Sequence, residues 1–239
     1  HSDPTITSCT IDDNTSGATG GGISCGIVST ETNTDSSISG NTAASDGGGI
    51  YSVGPAWPEL TSCRIPGNYS AAAGGGVWCD HGDWRIVNCT FEGNASRWYG
   101  SALYVARYAP TTVTNCTFHG NLSYETAGGA VYCARHGSMR ITNCILWGDT
   151  PNEIRADYDA DVDVRFSNVQ GGSMDVDPLF AFSDDLHLLD GSPCIDVGTS
   201  APYGGLPSLD QDGNPRTLNG DDWGAAVPDL GAFEFNPDA

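Results

Sequence analysis

Apolar residues in this chain come in short runs, and within each run they alternate with polar ones. "WRIVNCTF" (84–91), "TTVTNCTF" (111–118) and "MRITNCIL" (139–146) are the clearest, and "GIVST" (26–30) is a shorter one. The runs are rich in β-branched and aromatic residues and are bounded by Gly and Asn, as strands closed by turns are. No window carries apolar positions at the 3.6-residue spacing of a helix over ten or more residues. The pattern predicts an all-β protein.

The runs also recur. Aligned on one column, the copies read "SCTIDDN" (8–14), "SSISGN" (36–41), "SCRIPGN" (62–68), "NCTFEGN" (88–94), "NCTFHGN" (115–121) and "NCILWGD" (143–149). The column residues are Cys9, Ser36, Cys63, Cys89, Cys116 and Cys144, at steps of 27, 27, 26, 27 and 28. Five residues on from each stand Asn14, Asn41, Asn68, Asn94, Asn121 and Asp149. A Gly-rich segment keeps the same period: "GGGISC" (20–25), "GGGIYS" (47–52), "GGGVWC" (74–79), "GSALYV" (100–105) and "GGAVYC" (128–133). About 27 residues make three short strands and three turns, which is one coil of a solenoid. The expected fold is a right-handed parallel β-helix of about 6–7 coils, stacked ~4.8 Å apart. A propeller needs about 40–50 residues per blade, and no leucine-rich pattern is present. Residues 1–170 are read as coils and 171–239 as an irregular C-terminal cap on the same solenoid.

Each column has an expected task. The Asn after Gly falls at a sharp turn, where its amide bonds to the amide of the next coil. Asn88, Asn115 and Asn143 form a second, shorter column at another turn. Six Asn match N-x-S/T (14, 68, 88, 94, 115 and 121), but the repeat itself forces most of them. Two Cys columns rise together, which suggests the pairs Cys9–Cys25, Cys63–Cys79 and Cys116–Cys133. Cys79–Cys89 with Cys133–Cys144 is the rival register, Cys144–Cys194 is a further candidate, and apolar stacking of free thiols is the plain alternative. After the apolar residue of the Gly-rich strand come Ser24, Tyr51, Trp78, Tyr104 and Tyr132. Alternation turns them outward, so four rings are expected to form an exposed stripe for sugar rings or a partner protein. His81, Arg107 and His136 lie in the turns beside it, with Tyr108, Asp80 and Asp83.

Composition narrows the class. The chain holds 30 acidic residues against nine basic ones, all nine Arg, for a formal charge of −21. Nucleic acid and anionic membrane surfaces are therefore poor partners, because the protein repels them. Residues 1–148 hold 11 of the acids and 149–239 hold 19. No apolar run approaches the ~20 residues of a membrane span. Nine Cys in an Asn/Thr/Ser/Gly-rich chain point to an oxidising, extracellular setting. No CxxC pair supports a zinc or thioredoxin reading. The chain begins at His1, as a mature or trimmed product would.

The last third carries "VRFSNV" (164–169), "DVDPLF" (175–180), "DDLHLL" (184–189), "GSPCIDVG" (191–198), "DQDGNPR" (210–216) and "PDLGAFE" (228–234). In this order they resemble the C-terminal region of secreted right-handed β-helix proteins with a choice-of-anchor Q type domain. The resemblance implies a secreted or cell-surface scaffold and little about activity. Physically, this region is expected to cap the open coil end, with Asp196, Asp229 and Glu234 available to Arg216. Asp210, Asp212 and Asn214 open like a calcium loop, although the Gly and distal Glu of an EF-hand are misplaced. Calcium is the one candidate ion, and no other cofactor is expected. "DPTITSCTI" enters the first coil with no visible cap, so coil ends are expected to meet a second copy or a lost upstream part.

No carboxylate recurs on the outward face of the Gly-rich strand, and no Ser/His/Asp or phosphate-loop signature appears. The functional expectation is a non-catalytic extracellular or cell-surface structural or adhesive protein. It would self-assemble into fibres or bind polysaccharide through its aromatic stripe. A polysaccharide lyase or glycoside hydrolase, with two carboxylates facing one cleft, is the alternative.

Overall fold

The computed structural model describes residues 3–26, 31–54, 57–172, 174–220 and 226–237. Apart from Gly26, the predicted strand "GIVST" lies outside the described residues. Among those described, the repeats stack as parallel strands in four columns. Sheet 1 runs from Thr5–Thr7 through Glu59–Thr61 and Trp84–Val87 to Asp161–Arg165. Sheet 2 runs from Thr10–Asp12 to Asn168–Val169, and sheet 4 from Ile23–Cys25 to Ile154–Ala156. Sheet 3, from Thr15–Ser16 to Leu122–Ser123, has only two residues per strand. Three strands per coil were expected and four are present, because the segment after the Asn corner is long enough for one more short pairing. Register follows the period without slips: Thr5 faces Thr32, and Trp78 faces Tyr51 and Tyr104.

The inward columns make one continuous core, including Ile38, Leu60, Ile86, Phe91 and Phe118, all inaccessible. Phe91 and Phe118 stack at 4.6 Å between centroids. The second coil departs from this pattern: Glu31 and Asn33 are buried there, Glu31 beside Ser52 and Cys25, and the Asn33 amide has no hydrogen-bond partner among the described residues. The Gly-rich segment lies where sheet 3 turns into sheet 4. A Cβ on Gly48 or Gly75 would lie 2.3 Å from a carbonyl oxygen of the next coil, so only backbone fits.

Between sheets 2 and 3 the Asn column forms a ladder. The backbone N–H and Nδ2 of Asn41 both donate to Oδ1 of Asn68 at 3.0 Å, and Asn68 repeats this on Asn94 and Asn94 on Asn121. Each Nδ2 also donates to a carbonyl of the coil before, as Asn94 does to Ile65 at 2.7 Å. The left-handed backbone falls one residue earlier than expected, on Gly40, Gly67, Gly93 and Gly120, so each Asn keeps an ordinary conformation. Five of the six N-x-S/T asparagines are buried, Asn68, Asn94 and Asn121 in this ladder and Asn88 and Asn115 against the last third.

The ladder ends on Asp149. Its Oδ1 accepts the N–H and Nδ2 of Asn121 at 2.6 and 2.8 Å, and its own N–H donates to Glu153 Oε1 at 3.0 Å. Oδ2 holds the place of the amide nitrogen and is buried beside Glu153. Burial, then the adjoining Glu153, raise the Asp149 carboxyl well above the usual range, and burial raises Glu153 too. A proton on Oδ2 turns it into the donor that the ladder calls for.

The expected disulfides are not formed: all nine cysteines are free. Cys9, Cys63 and Cys116 sit where sheet 1 turns into sheet 2, whereas Cys25, Cys79 and Cys133 lie in sheet 4. The first column stacks along the axis instead of bridging across the coil. The N–H of Cys63, Cys89 and Cys116 each meets the sulfur one coil on at 3.4 Å, and each thiol points to the carbonyl two residues back. Cysteine here is a small apolar filler with a weak donor.

The last third meets the final coil, where Asn168 Nδ2 donates to the Val176 carbonyl at 2.7 Å and to Cys194 Sγ at 3.2 Å. It packs on the same solenoid but runs back along the corner between sheets 1 and 2. A short hairpin, Phe180–Phe182 with Asp185–Leu188, opens it. Asn88, Asn115 and Asn143, all with positive φ, point their amides outward and donate to Leu209, Asp229 and Thr199 carbonyls. Gln211 reaches Cys63. Arg216, 1 % exposed, bonds Glu234 at 2.8 Å, Asn88 Oδ1 at 2.9 Å and the Gly231 carbonyl at 2.9 Å. Asp229 and Asp196 accept backbone N–H groups within the strap.

Three outcomes follow from this architecture. Asp149→Asn supplies the missing donor without a proton. An acid with a raised folded-state pKa weighs on stability as pH climbs above about 4, the unfolded value, and keeps a fixed cost above its folded pKa. The variant should therefore melt above the parent at neutral pH, by ~2–4 °C for each kcal/mol gained, and the gap should close near pH 4; circular dichroism melts across pH check this. Arg216→Ala leaves buried Glu234 without its ion-pair partner, with only the Asp229 N–H to bond, at a cost of about 3–5 kcal/mol. Limited proteolysis should then cut first within residues 171–239 and spare the coils. Denatured without reductant, the chain should titrate nine thiols.

Candidate functional site

Two aromatic rows run up one side of the solenoid. The first is the predicted stripe on sheet 4. Tyr51 and Trp78 stack at 4.5 Å, Trp78 and Tyr104 at 6.1 Å, and Tyr104 and Tyr132 at 5.5 Å, with interplanar angles of 14°, 5° and 6°. The rings are outward and in register, as expected, but they face one another along the axis. A sugar needs an open ring face, and here the inner faces are taken. Tyr99 also covers Tyr132 at 4.6 Å, and the Tyr132 hydroxyl donates to Asp157 at 2.8 Å, leaving that ring 9 % exposed. Burial, with Asp157 and Asp46 nearby, pushes Tyr104 up to about 12. The stripe offers an edge of donors spaced one coil apart, not a platform.

The second row lies in the turn from sheet 4 to sheet 1. His81, Tyr108 and His136 occupy equivalent places in three coils, each with φ between 54° and 58°. The left-handed turn throws each ring outward. Tyr108 lies 6.4 Å from His81 and 5.1 Å from His136. His81 Nδ1 is 2.8 Å from Asp80, and His136 Nδ1 is 3.2 Å from Asp159. Arg107 is exposed in the same turn, and Arg135 lies over the Tyr158 ring at 5.6 Å. Trp57, Tyr108 and Tyr158 are 71, 59 and 86 % exposed. His81, Arg107 and His136 were legible as a rim. Trp57 and Tyr158 were missed because neither belongs to a repeated word; their places in the turn before a sheet 1 strand were the available signal.

The family comparison agrees with the coils. A profile described as "Right handed beta helix region" matches residues 1–169. The chain belongs to the right-handed β-helix family. No curated protein and no solved structure matches it. The match ends where the β-helix gives way to its lateral strap.

A third place on the β-helix escaped the sequence reading. The hairpin covers part of the outward face of sheet 2 and leaves a cleft of about 150 Å³ lined by Arg64, Glu92, Asp184, Asp185, His187 and Phe233. His187 bonds Asp185 through Nδ1 and Asp212 through Nε2, the latter at 2.6 Å. Burial lowers the His187 pKa, but the two carboxylates outweigh it and raise it overall. Burial raises Glu92. Strand and strap residues here are about 90–170 positions apart, so no local motif announces this cluster.

At the candidate calcium loop the chain forms a turn held by its own hydrogen bonds. Asp210 is 3 % exposed, and its carboxylate accepts the N–H groups of Asp212, Asn214 and Glu234 at 2.7–2.9 Å. Asp212 turns to Arg64 at 3.1 Å and to His187. Asp210, Asp212 and Asn214 thus close a loop of the strap. Among the described residues, no three His, Cys, Asp or Glu converge as metal ligands, and no helix is long and apolar enough to cross a membrane.

Proposed function

We propose that this β-helix is a non-catalytic, secreted or cell-surface rod that holds polysaccharide along the edge between sheets 4 and 1. The exposed row of Trp57, His81, Tyr108, His136 and Tyr158 carries the reading. It sets one ring in each of five successive coils along one edge, so an extended polymer gains many weak contacts at once. Carboxylates and guanidiniums beside the rings match the hydroxyls of sugars. The charge of −21 favours uncharged glycans over polyanions. The resemblance of the last third to a choice-of-anchor Q type domain supports the surface location; the free thiols do not bear on it. Ile154–Ala156, Asp161–Arg165 and Asn168–Val169 are edge strands, and self-association through that end belongs to the same reading.

The sheet 2 cleft favours a second reading, polysaccharide cleavage. A half-buried Glu92 with a raised pKa beside His187 and Arg64 has the makings of an acid/base site. Affinity electrophoresis through gels cast with β-glucan, mannan or polygalacturonate separates the two. We expect retardation by an uncharged polymer, at least tenfold weaker in the Tyr108→Ala/His136→Ala variant, with no reducing ends released. Release of reducing ends that Glu92→Gln abolishes would overturn this in favour of cleavage. Sedimentation at rising concentration tests self-association.

A further inference from the structure

The strap raises a wall beside the outward face of sheet 1, and the wall meets the aromatic edge at one point. There, Trp57, Glu59, Asp83, Arg85, Thr112 and Gly204 enclose a concavity of about 350 Å³, within the range of small-ligand sites. Its floor is Glu59, Arg85 and Thr112, facing one another in register on three successive coils. Arg85 is ion-paired with Glu59, and its Nη2 donates to the Gly204 carbonyl at 3.3 Å. That holds the guanidinium flat along the floor. The wall is pinned from behind. Thr114 Oγ1 donates to the Tyr203 carbonyl at 2.7 Å, and Arg140 and Arg165 lie over the Tyr203 ring at 5.4 and 5.6 Å. On the open side stands Trp57, the most exposed of the large apolar side chains on the coil edge after Tyr158, and no ring among the described residues stacks on it.

The chemistry is specific. An exposed indole offers an electron-rich face to the C–H groups of a pyranose ring. The carboxylate and guanidinium beneath offer acceptors and donors to its hydroxyls. Glu59, Asp83 and Arg85 sum to one negative charge, so a uronate gains nothing there. We propose that this concavity is a binding subsite for a pyranose unit of an uncharged glycan, with Trp57 as its stacking platform and Arg85 and Glu59 reading its hydroxyls. The proposal rests on the glycan-holding reading and gives the edge a defined anchoring point. It also gives the strap a task, since Gly204 closes one side of the site.

The test compares the full chain with Trp57→Ala, Arg85→Met and Tyr108→Ala by isothermal titration calorimetry. The probes are cellohexaose, laminarihexaose, mannohexaose and a polygalacturonate oligomer. Trp57 is largely exposed, so its variant should melt with the parent. We expect one uncharged hexaose to bind, Trp57→Ala to weaken it at least tenfold, Arg85→Met to weaken it at least threefold, and Tyr108→Ala to change it less than Trp57→Ala does. Binding that survives Trp57→Ala but is lost with Tyr108→Ala overturns the subsite and leaves the glycan reading standing. Tighter binding of the polygalacturonate oligomer overturns the uncharged class. No binding of any probe to the parent overturns both.

Discussion

The solenoid depends on one side-chain amide per coil. At the corner between sheets 2 and 3 the chain reverses direction inside a dry core, and its N–H would otherwise be buried without a partner, a loss of about 1–3 kcal/mol per group. The Asn of each coil supplies the acceptor for the coil before it and passes its own donors to the coil after. Coil spacing and register are set together by this chain of amides. The period of 26–28 residues is the length that returns the next Asn to that place. Length varies elsewhere: in the sheet 3 to sheet 4 segment, where Ser123 follows Ser96 by 27 residues but Val131 follows Leu103 by 28, and in the sheet 4 to sheet 1 turn, where the exposed rings sit.

The strap uses the second corner as the ladder uses the first. Asn88, Asn115 and Asn143 are freed from inter-coil bonding and turned outward by their positive φ, and the strap's carbonyls take them. Arg216 then locks both layers through Glu234 and Asn88. A lateral strap leaves the solenoid's end strands as edges, but it builds relief on faces that would otherwise be flat. Both mixed-charge concavities, over sheet 1 and over sheet 2, have one wall from the coils and one from the strap.

Aromatic residues divide by what their faces meet. On sheet 4, strand register places like rings directly above one another, and stacking consumes the faces. In the sheet 4 to sheet 1 turn, the backbone varies in length and each ring stands apart or meets a smaller imidazole. Recognition chemistry therefore collects at the corner, while the more regular column stiffens the sheet. The same logic explains the cysteines: perfect vertical register gives each sulfur an N–H from the coil before, and no lateral partner.

The sequence determined the coil. The paired columns of Cys and Asn, the Gly-rich words and the strand alternation fixed period, parallel pairing, inward and outward faces and the ladder, because each coil meets only its neighbours and stacks like on like. Asn88, Asn115 and Asn143 even marked the strap's dock, since earlier copies carry Ser8, Asp35 and Ser62 at that corner. Tertiary structure decided the rest. The direction of the strap, the burial of Arg216, the closing of the ring faces and the meeting of Trp57 with Gly204 join residues up to about 150 positions apart. No local spacing encodes such contacts, because they arise only when an irregular segment folds onto a surface the repeats have already made.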